Sequence, residues 1–567
     1  MKEILKKEKN LNIILVLGSI VVFTFLVFTK WTILYETPDD QYIMSILSGK
    51  LLGHVEAHVV YVKYPLAYLL TRLYALLPGY DWYATFMLGL QVTTMAVMLW
   101  YFVKKQSKGS CKVIATAVFY SVFMLCWTNE ILSFTYTTTA ALAAMCALVV
   151  YGLGEDRKRD FFLVILFSFF AFGLRSAVFF MVLPVAGVLW LLKMKERKQR
   201  IKQIFFLGVL FGMLLGIWGA DHLAYSSNDW SAYNTYNQAR TKLYDYNERV
   251  FSDYDAYKNE YASVGLTEND SKVFLSKNLA LCDNRLFDVM PALADEIENE
   301  TVGERLQSAV KLIIQSGFLK NKIMLLVSII CWGIAVLYTV RRKEKGELLL
   351  ELILGILIAG LWLYLGYQGR IITRVAHSML LLQIITPLIC VHRIAEQDEK
   401  ELGEKWKKCI VFGLLLIIVG ASAYDLRMIQ RINSSNQQKV SNQAYEKIEA
   451  YCNSNQESFY FGDVSSIAVC SYEYKFKSNT DYMNFLMLGD WYANSPLYAE
   501  KLEIQGIERV SDALLSKDNV YFFARKDLMK DSEYISDIYK KKVCLEEIDE
   551  IDVPGNPYAV YQLKNIQ

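Results

Sequence analysis

Two adjacent carboxylates follow the first long apolar stretch of the chain, in Thr37-Pro38-Asp39-Asp40. Neighbouring carboxylates raise each other's pKa, so one of them can be poised to take a proton from a hydroxyl group. A structural interpretation is equally open, because Thr37 suits an N-cap, Pro38 suits the first helical position and acidic residues favour the positive end of a helix dipole. The stretch therefore predicts a helix start whose carboxylates act as a general base, a metal-ligand pair or both, or only stabilise the helix.

Three arginines at predicted membrane edges are suited to bind a phosphate group, because a guanidinium presents a planar fork of donors. Arg175 sits where two short apolar runs must turn around, and Arg370 and Arg374 bracket a second turn. The alternative for each is an arginine that reaches toward lipid headgroups without any specific ligand.

The polar region 225–319 is helical in pattern and dense in tyrosine. Tyr and Trp favour membrane interfaces, and they also form surfaces on which sugars stack. This region is therefore interpreted either as an interfacial aromatic belt or as a substrate-binding loop. In the second case Tyr236, Asn237 and Arg240 are the candidate substrate-binding residues.

Length and composition indicate an α-helical polytopic membrane protein. The chain has 567 residues, 54% of them hydrophobic, and a mean hydropathy of +0.23. About eleven apolar runs approach the ~20 residues needed to cross a hydrocarbon core of roughly 30 Å. The predicted spans are 11–30, 82–103, 112–129, 134–153, 161–173, 176–192, 203–224, 320–340, 348–366, 375–392 and 408–424.

Basic residues in the short linkers set the predicted orientation. All basic clusters fall on the side of the N-terminal lysines only if the ambiguous run 59–77 does not span. That run carries Lys63, Pro65 and Arg72, each costly or disruptive at mid-bilayer. We therefore predict a multi-pass protein of the cell membrane with a cytoplasmic N-terminus, and a surface helix at 59–77 on the outer face.

Two domains are expected. Residues 1–424 form the transmembrane domain, with outer loops at 31–81 and 225–319, and residues 425–567 form a small extracytoplasmic α/β domain. The α/β prediction rests on helical patterns between strand-like runs at 459–461, 519–523 and 558–563.

The charge distribution and the cysteine spacing argue against several classes of site or function. The net charge of +2 is a balance of opposite charges, and no region is basic enough to indicate nucleic-acid binding. The ten cysteines have no metal-binding spacing, while a Cys452–Cys470 disulfide stays open. The spans carry almost no charge at mid-depth, which argues against a transporter.

The layout resembles the GT-C superfamily of membrane glycosyltransferases, and a bacterial subgroup of it. Members have a first span followed by an outer loop that begins with an acidic pair and contains two surface helices. The matching features are Pro38-Asp39-Asp40, the predicted helices at 41–52 and 59–77, the Gly369 to Arg374 turn and the stretch 489–497. The resemblance covers most of the chain in layout, through short motifs.

The resemblance implies a polyprenyl-phosphate-linked sugar donor, a cell-envelope glycan or lipid acceptor, and inverting displacement at the outer face among membrane lipids. It makes Asp39 the expected base and lets Asp40 assist or bind a divalent metal, Mg²⁺ or Mn²⁺. Arg370, with Arg374 and Arg175, is expected to bind the carrier phosphate. A cell-surface polysaccharide polymerase or ligase is the alternative, and a lipid-linked glycan transporter is a more distant one.

Overall fold

The computed structural model describes most of the chain. The residues it leaves undescribed are 1, 107–108, 195–196, 248, 283–284, 298–300, 398–423, 425, 478–480, 530–534, 536–538, 540–542 and 566–567. Long helices form the first two thirds, and a mixed sheet with short helices forms the last third.

The protein is a helical polytopic membrane protein by the length and composition of its helices. Among the described residues, nine helical segments are long and apolar enough to cross a membrane. They comprise α1 (Lys2–Lys30), α4 (Trp82–Lys104), α5 (Gly109–Leu132), α6 (Tyr136–Leu153), α7 (Lys158–Lys193), α8 (Arg197–Ala224), α14 (Val302–Leu312) continued by α15 (Lys322–Arg342), α16 (Lys345–Tyr367) and α17 (Thr373–Gln397). The predicted span at 408–424 lies outside the described residues.

Helix α7 folds back on itself, which explains why two predicted spans correspond to one assigned helix of 36 residues. Arg175 has a non-helical backbone (φ −156°, ψ 95°), and the rings of Phe172 and Phe179 lie 5.8 Å apart across it. Lys193 pairs at 2.6 Å with Asp156, which precedes the helix. A straight helix would separate the two ends by about 50 Å. The two halves are therefore the antiparallel apolar runs expected on either side of Arg175.

The remaining helices are short and lie between or after the long ones. They are α2 (Pro38–Leu47), α3 (Tyr64–Leu76), α9 (Asn228–Thr241), α10 (Arg249–Ser252), α11 (Lys258–Ser263), α12 (Glu268–Ser276), α13 (Arg285–Glu296), α18 (426–440), α19 (Ala444–Ser454), α20 (Val464–Ala468), α21 (Pro496–Ile504) and α22 (Val510–Ser516). Helix α3 is too short to span, as predicted for 59–77, and exposes apolar side chains such as Leu69 and Leu76.

Helix α2 is buried, whereas the sequence predicts a surface helix there. Every residue from Asp40 to Leu47 is buried. The C-terminal part of the chain covers this helix: the ring of Tyr492 stacks on Tyr42 with centroids 4.6 Å apart, and Glu449 forms an ion pair of 2.5 Å with Lys50 just beyond the helix. Sequence periodicity could not reveal this cover, because it comes from about 400 residues away in the chain.

The C-terminal sheet has five strands in the order β4-β3-β5-β7-β6. Its strands are β3 (Phe459–Gly462), β4 (Phe485–Met487), β5 (Val520–Arg525), β6 (Val543–Ile551) and β7 (Tyr558–Asn565). Strands β4, β3 and β5 are parallel, and β7 and β6 are antiparallel. Strands β3, β5 and β7 lie where strand-like runs predict them, whereas β4 and β6 were not predicted.

The division into two domains stays a prediction. One continuous cluster of buried hydrophobic residues includes the sheet, α2 and most of the long helices. Cys452 and Cys470 are free thiols, so the disulfide left open by the sequence is absent.

Candidate functional site

A short backbone ladder holds the start of α2 against the start of α6. Strand β1 (Leu34–Tyr35) pairs in parallel with β2 (Ser133–Phe134), and the Glu36 N–H donates to the Phe134 carbonyl at 3.0 Å. Helix α2 begins three residues after β1 and α6 two residues after β2. The ladder therefore brings Asp39 and Asp40 to the bundle end where α6 begins at Tyr136.

Asp40 is saturated with hydrogen bonds. One oxygen accepts from the Tyr83 hydroxyl at 2.7 Å and from the Tyr136 N–H at 3.0 Å, and the other accepts from the Thr37 hydroxyl at 2.7 Å. The side chain is fully buried. Thr37 occupies the predicted N-cap position, but its hydroxyl donates to Asp40 instead of accepting from the helix backbone. The observed bonds give Asp40 a positioning role between α2, α4 and α6.

Asp39 is the opposite case. No hydrogen bond to its carboxylate is found among the described residues, and the side chain is half-buried. The pKa of Asp39 is raised from 3.8 to about 7, chiefly by burial, with Asp490 and Asp40 adding to the rise and Arg374 and Arg240 opposing it. A carboxyl group with a pKa near neutrality and no fixed partner is suited to exchange a proton with a ligand.

The three predicted phosphate-binding arginines have different surroundings. Arg374, at the start of α17, is an electrostatic neighbour of both Asp39 and Glu36. Arg175, at the fold of α7, lies 5.5 Å from the Tyr61 ring centroid and 5.7 Å from that of Tyr136. Arg370 instead forms an ion pair of 2.6 Å with Asp245.

The candidates from the tyrosine-rich region also reach this bundle end. Arg240 is buried, and its Nε donates to the Asn237 side chain at 2.9 Å. One Nη of Arg240 contacts the Tyr61 hydroxyl at 3.4 Å. Tyr236 is buried one turn before Arg240 on α9. The structure therefore brings Asp39, Arg374, Arg175, Arg240 and their aromatic neighbours together, with Arg370 held apart by its own carboxylate partner.

Asp490 is a site residue that sequence reasoning missed. It belongs to the C-terminal part, yet after burial itself it has the largest effect on the pKa of Asp39. Burial raises the pKa of Asp490, and Arg240 opposes that rise. The GT-C resemblance included the stretch 489–497, but no residue type or spacing assigned a role to Asp490.

A second missed cluster lies inside the bundle near Glu36. His377 contacts Glu130 through Nδ1 at 2.5 Å and the Asn321 side-chain oxygen through Nε2 at 2.8 Å. The Asn321 amide donates to the Gly317 carbonyl at 3.0 Å, so its oxygen faces His377 and Nε2 carries a proton. His377 therefore connects Glu130 of α5 to Asn321 at the start of α15 through its two ring nitrogens. Polar residues inside apolar runs were the available signal, because such residues are costly there.

Glu36 links this cluster to the acidic pair. The pKa of Glu36 is raised from 4.5 to about 8, with desolvation as the main cause and Glu130 adding to the rise, while Arg374 opposes it. At neutral pH the bundle end thus holds several carboxyl groups of raised pKa around one guanidinium, which can move protons and neutralise a bound anion.

The metal prediction for Asp40 finds no fitting donor set. Among the described residues, no group of three or more His, Cys, Asp or Glu side chains is placed to hold an ion. Both oxygens of Asp40 already accept from Thr37, Tyr83 and the Tyr136 backbone. The described residues around Asp40 therefore do not provide a donor set for Mg²⁺ or Mn²⁺.

An apolar cavity of about 530 Å³ lies between the helical segment 302–342 and helices α16 and α17. Its lining includes Val310, Ile313, Phe318, Trp332, Ile358 and Trp362. Trp362 is near the end of α16, just before the turn that carries Arg370 and Arg374. The lining residue Trp362 precedes Arg370 by about two helical turns of chain.

No protein-family model matches the chain, and no curated protein matches it either. The GT-C resemblance stays a prediction, and the geometry of the site is what supports a functional proposal.

Proposed function

We propose that the protein is a glycosyltransferase of the GT-C type, which transfers a hexosyl or pentosyl group from a polyprenyl-phosphate-linked donor to a cell-envelope acceptor. The observation that carries the proposal is the contrast within the acidic pair. Asp40 is held by three protein donors, while Asp39 beside it has a pKa raised to about 7 and no hydrogen-bond partner among the described residues.

The proposed reaction is an inverting displacement at the anomeric carbon. The acceptor hydroxyl attacks that carbon and gives its proton to the Asp39 carboxylate. The bond between the anomeric carbon and the phosphate oxygen breaks, and the polyprenyl phosphate leaves with the electron pair. General-base assistance of this kind contributes roughly 10²- to 10⁴-fold in rate.

The leaving phosphate gains negative charge, which preplaced cations stabilise. Arg374 is the best placed, because it neighbours Asp39 and has no carboxylate partner within ion-pair distance among the described residues. Arg175 supports the same anion from the fold of α7, where it lies against Tyr61 and Tyr136. The apolar cavity near Trp362 is suited to the polyprenyl chain.

The cellular setting is part of the proposal. The site belongs on the outer face of the cell membrane, with a cytoplasmic N-terminus and an extracytoplasmic C-terminal domain. Eleven spans satisfy the distribution of basic linkers, if the two halves of α7 each cross and 408–424 crosses once more. The nine apolar segments of the described residues support the membrane setting only.

The decisive experiment is a transfer assay with the purified full-length protein in lipid nanodiscs. A panel of polyprenyl-phosphate hexoses and pentoses serves as donors, and a cell-envelope fraction from a host lacking the protein serves as acceptor. We expect Asp39→Asn to lower kcat by roughly 10²- to 10⁴-fold, because the amide cannot take the proton. Asp229→Asn is the matched control, since Asp229 is an exposed acidic residue at the start of α9.

Full transfer activity in Asp39→Asn would exclude Asp39 as the base. If wild type turns over no donor of the panel and deletion removes no envelope glycan, the glycosyltransferase proposal fails as a whole.

A further inference from the structure

Two buried polar atoms between α9 and the loop 489–492 lack a partner. The Tyr236 side chain is 3% exposed and that of Trp491 is 1% exposed. Neither the Tyr236 hydroxyl nor the Trp491 indole nitrogen has a hydrogen-bond partner among the described residues. Most buried polar groups in proteins are hydrogen-bonded, so two unpaired donors in one place point to a ligand that completes them.

Opposite charges flank these two atoms. Burial raises the pKa of Tyr236, Arg240 lowers it and Asp490 raises it further, so the hydroxyl lies close to both charged groups. Asp490 and Arg240 are also each other's electrostatic neighbours. The guanidinium of Arg240, the carboxylate of Asp490 and the phenol of Tyr236 therefore form one cluster, and Trp491 follows Asp490 directly in the chain.

Aromatic faces border the same volume. The Trp491 ring lies edge-on to Tyr61 with centroids 5.1 Å apart, and Tyr61 stacks on Tyr136 at 5.8 Å. Tyr61 and Asp490 are half-buried, unlike Tyr236 and Trp491. Tyr61 and Asp490 are therefore the members of this cluster that are accessible from solvent.

The loop that supplies Asp490 and Trp491 is fixed in place. A side chain at Gly489 would bring its Cβ within 1.9 Å of the Lys277 carbonyl oxygen, and Asp490 has a left-handed φ of +72°. The Tyr233 hydroxyl donates to the Trp491 carbonyl at 2.6 Å. Groups held this rigidly are preorganised for binding, which reduces the entropy lost when a ligand is bound.

We propose that Tyr236, Arg240, Asp490 and Trp491 form a subsite for the hydroxyl groups of a sugar ring, next to Asp39. Sugar hydroxyls both donate and accept, so they match a set with two neutral donors, one cationic donor and one carboxylate acceptor. The apolar face of a sugar ring packs on aromatic side chains such as Tyr61. This inference rests on the proposed function and adds the C-terminal part to its site; the ring belongs to the donor or to the acceptor.

Two conservative variants test the subsite in the transfer assay. Tyr236→Phe and Trp491→Phe each keep an aromatic ring and remove the unpaired donor. We expect each to raise the KM of one substrate by roughly tenfold, since one hydrogen bond to the ligand is lost. Thermal stability should stay the same or rise in Tyr236→Phe, because the removed hydroxyl has no partner in the free protein, and should fall in Trp491→Phe, because Phe leaves a cavity where part of the buried indole lay.

Tyr498→Phe is the matched control, since the buried Tyr498 hydroxyl donates to the Met487 carbonyl at 3.2 Å within the C-terminal part. It should lower the melting temperature and leave both KM values unchanged. A raised acceptor KM in the two test variants assigns the subsite to the acceptor, and a raised donor KM assigns it to the donor. Unchanged KM values for both substrates in both variants would overturn the inference while transfer itself continues.

A binding measurement separates this inference from the proposed function. Methyl glycosides of common hexoses and pentoses are used as probes, with saturation-transfer NMR on the full-length protein in nanodiscs. Binding by wild type that is lost in the Tyr236→Phe/Trp491→Phe double variant supports the subsite even if no donor is turned over. If wild type binds no glycoside of the panel and transfers no sugar, the subsite is rejected together with the proposed function.

Discussion

Two sets of carboxylates lie at the same end of the helix bundle and differ in how many hydrogen bonds they accept. In the first set, Asp40 accepts from three donors, and Asp81 accepts from the Tyr35 hydroxyl at 2.6 Å, from Tyr74 and from the backbone at the start of α4. In the second set, Asp39 accepts none among the described residues, and Asp490 accepts only from the N–H that follows it. We call these the saturated set (Asp40, Asp81) and the open set (Asp39, Asp490).

The number of hydrogen bonds that a carboxylate accepts distinguishes structural from reactive carboxylates here, whereas residue type does not, because all four are aspartates. Asp39 and Asp40 are adjacent and chemically identical, but successive side chains on a helix point about 100° apart. Asp40 therefore faces α4 and α6, while Asp39 faces the arginines and Asp490. A saturated carboxylate stabilises the elements that surround it, and an open one retains its capacity for a substrate.

The largest effect that separates the two sets concerns stability. Asp40→Ala leaves the Tyr83 hydroxyl, the Thr37 hydroxyl and the Tyr136 N–H without their acceptor, so we expect a loss of about 3 kcal/mol or more. Thermal unfolding of the protein in nanodiscs, followed by intrinsic fluorescence, should show a melting temperature several degrees lower. Equal melting temperatures for wild type and Asp40→Ala would contradict the positioning role.

Asp39→Asn is the control for that measurement, and the change in stability that it causes depends on pH. The pKa of Asp39 is raised from 3.8 to about 7 in the folded protein. Its titration therefore contributes to the free energy of unfolding in full below about pH 4, and this stabilisation is lost as pH rises through 7. Above pH 7 the fold holds a poorly solvated charge that Asn does not carry. The variant should therefore be at least as stable as wild type at pH 8, and any advantage should shrink toward pH 4.

The next effect is a shift in the pH dependence of transfer. The base must be ionised, so the rate should rise with pH through about 7, the pKa of Asp39. Asp490 raises that pKa, so Asp490→Asn should move the midpoint of the pH profile of kcat/KM to lower pH even as the sugar subsite is weakened. A midpoint that stays in place when Asp490 is neutralised would place the two carboxylates too far apart to form one open set.

The sequence predicts the parts of this arrangement that depend on local patterns. The helix start at Thr37, the turn at Arg175 and the non-spanning helix near 59–77 follow from capping preferences, apolar periodicity and the distribution of basic residues. Asp490 and Glu130 could not be assigned in this way, because their roles depend on contacts between segments far apart in the chain. The different roles of Asp39 and Asp40 also could not be predicted from the sequence, since they depend on partners such as Tyr83 and Tyr136.

The smallest effect compares tyrosine hydroxyls in the two sets. Tyr83→Phe and Tyr35→Phe each remove one of several donors from a saturated carboxylate, Asp40 or Asp81, so each should lower the stability by about 1 kcal/mol. Tyr236→Phe removes a hydroxyl of equal size that has no partner, and it should not lower the melting temperature at all. The three variants make the same chemical change at buried positions. The order of their melting temperatures therefore depends only on whether the removed hydroxyl has a hydrogen-bond partner. If Tyr236→Phe destabilises the protein as much as Tyr83→Phe does, the Tyr236 hydroxyl is bonded in the free protein and does not belong with the open set.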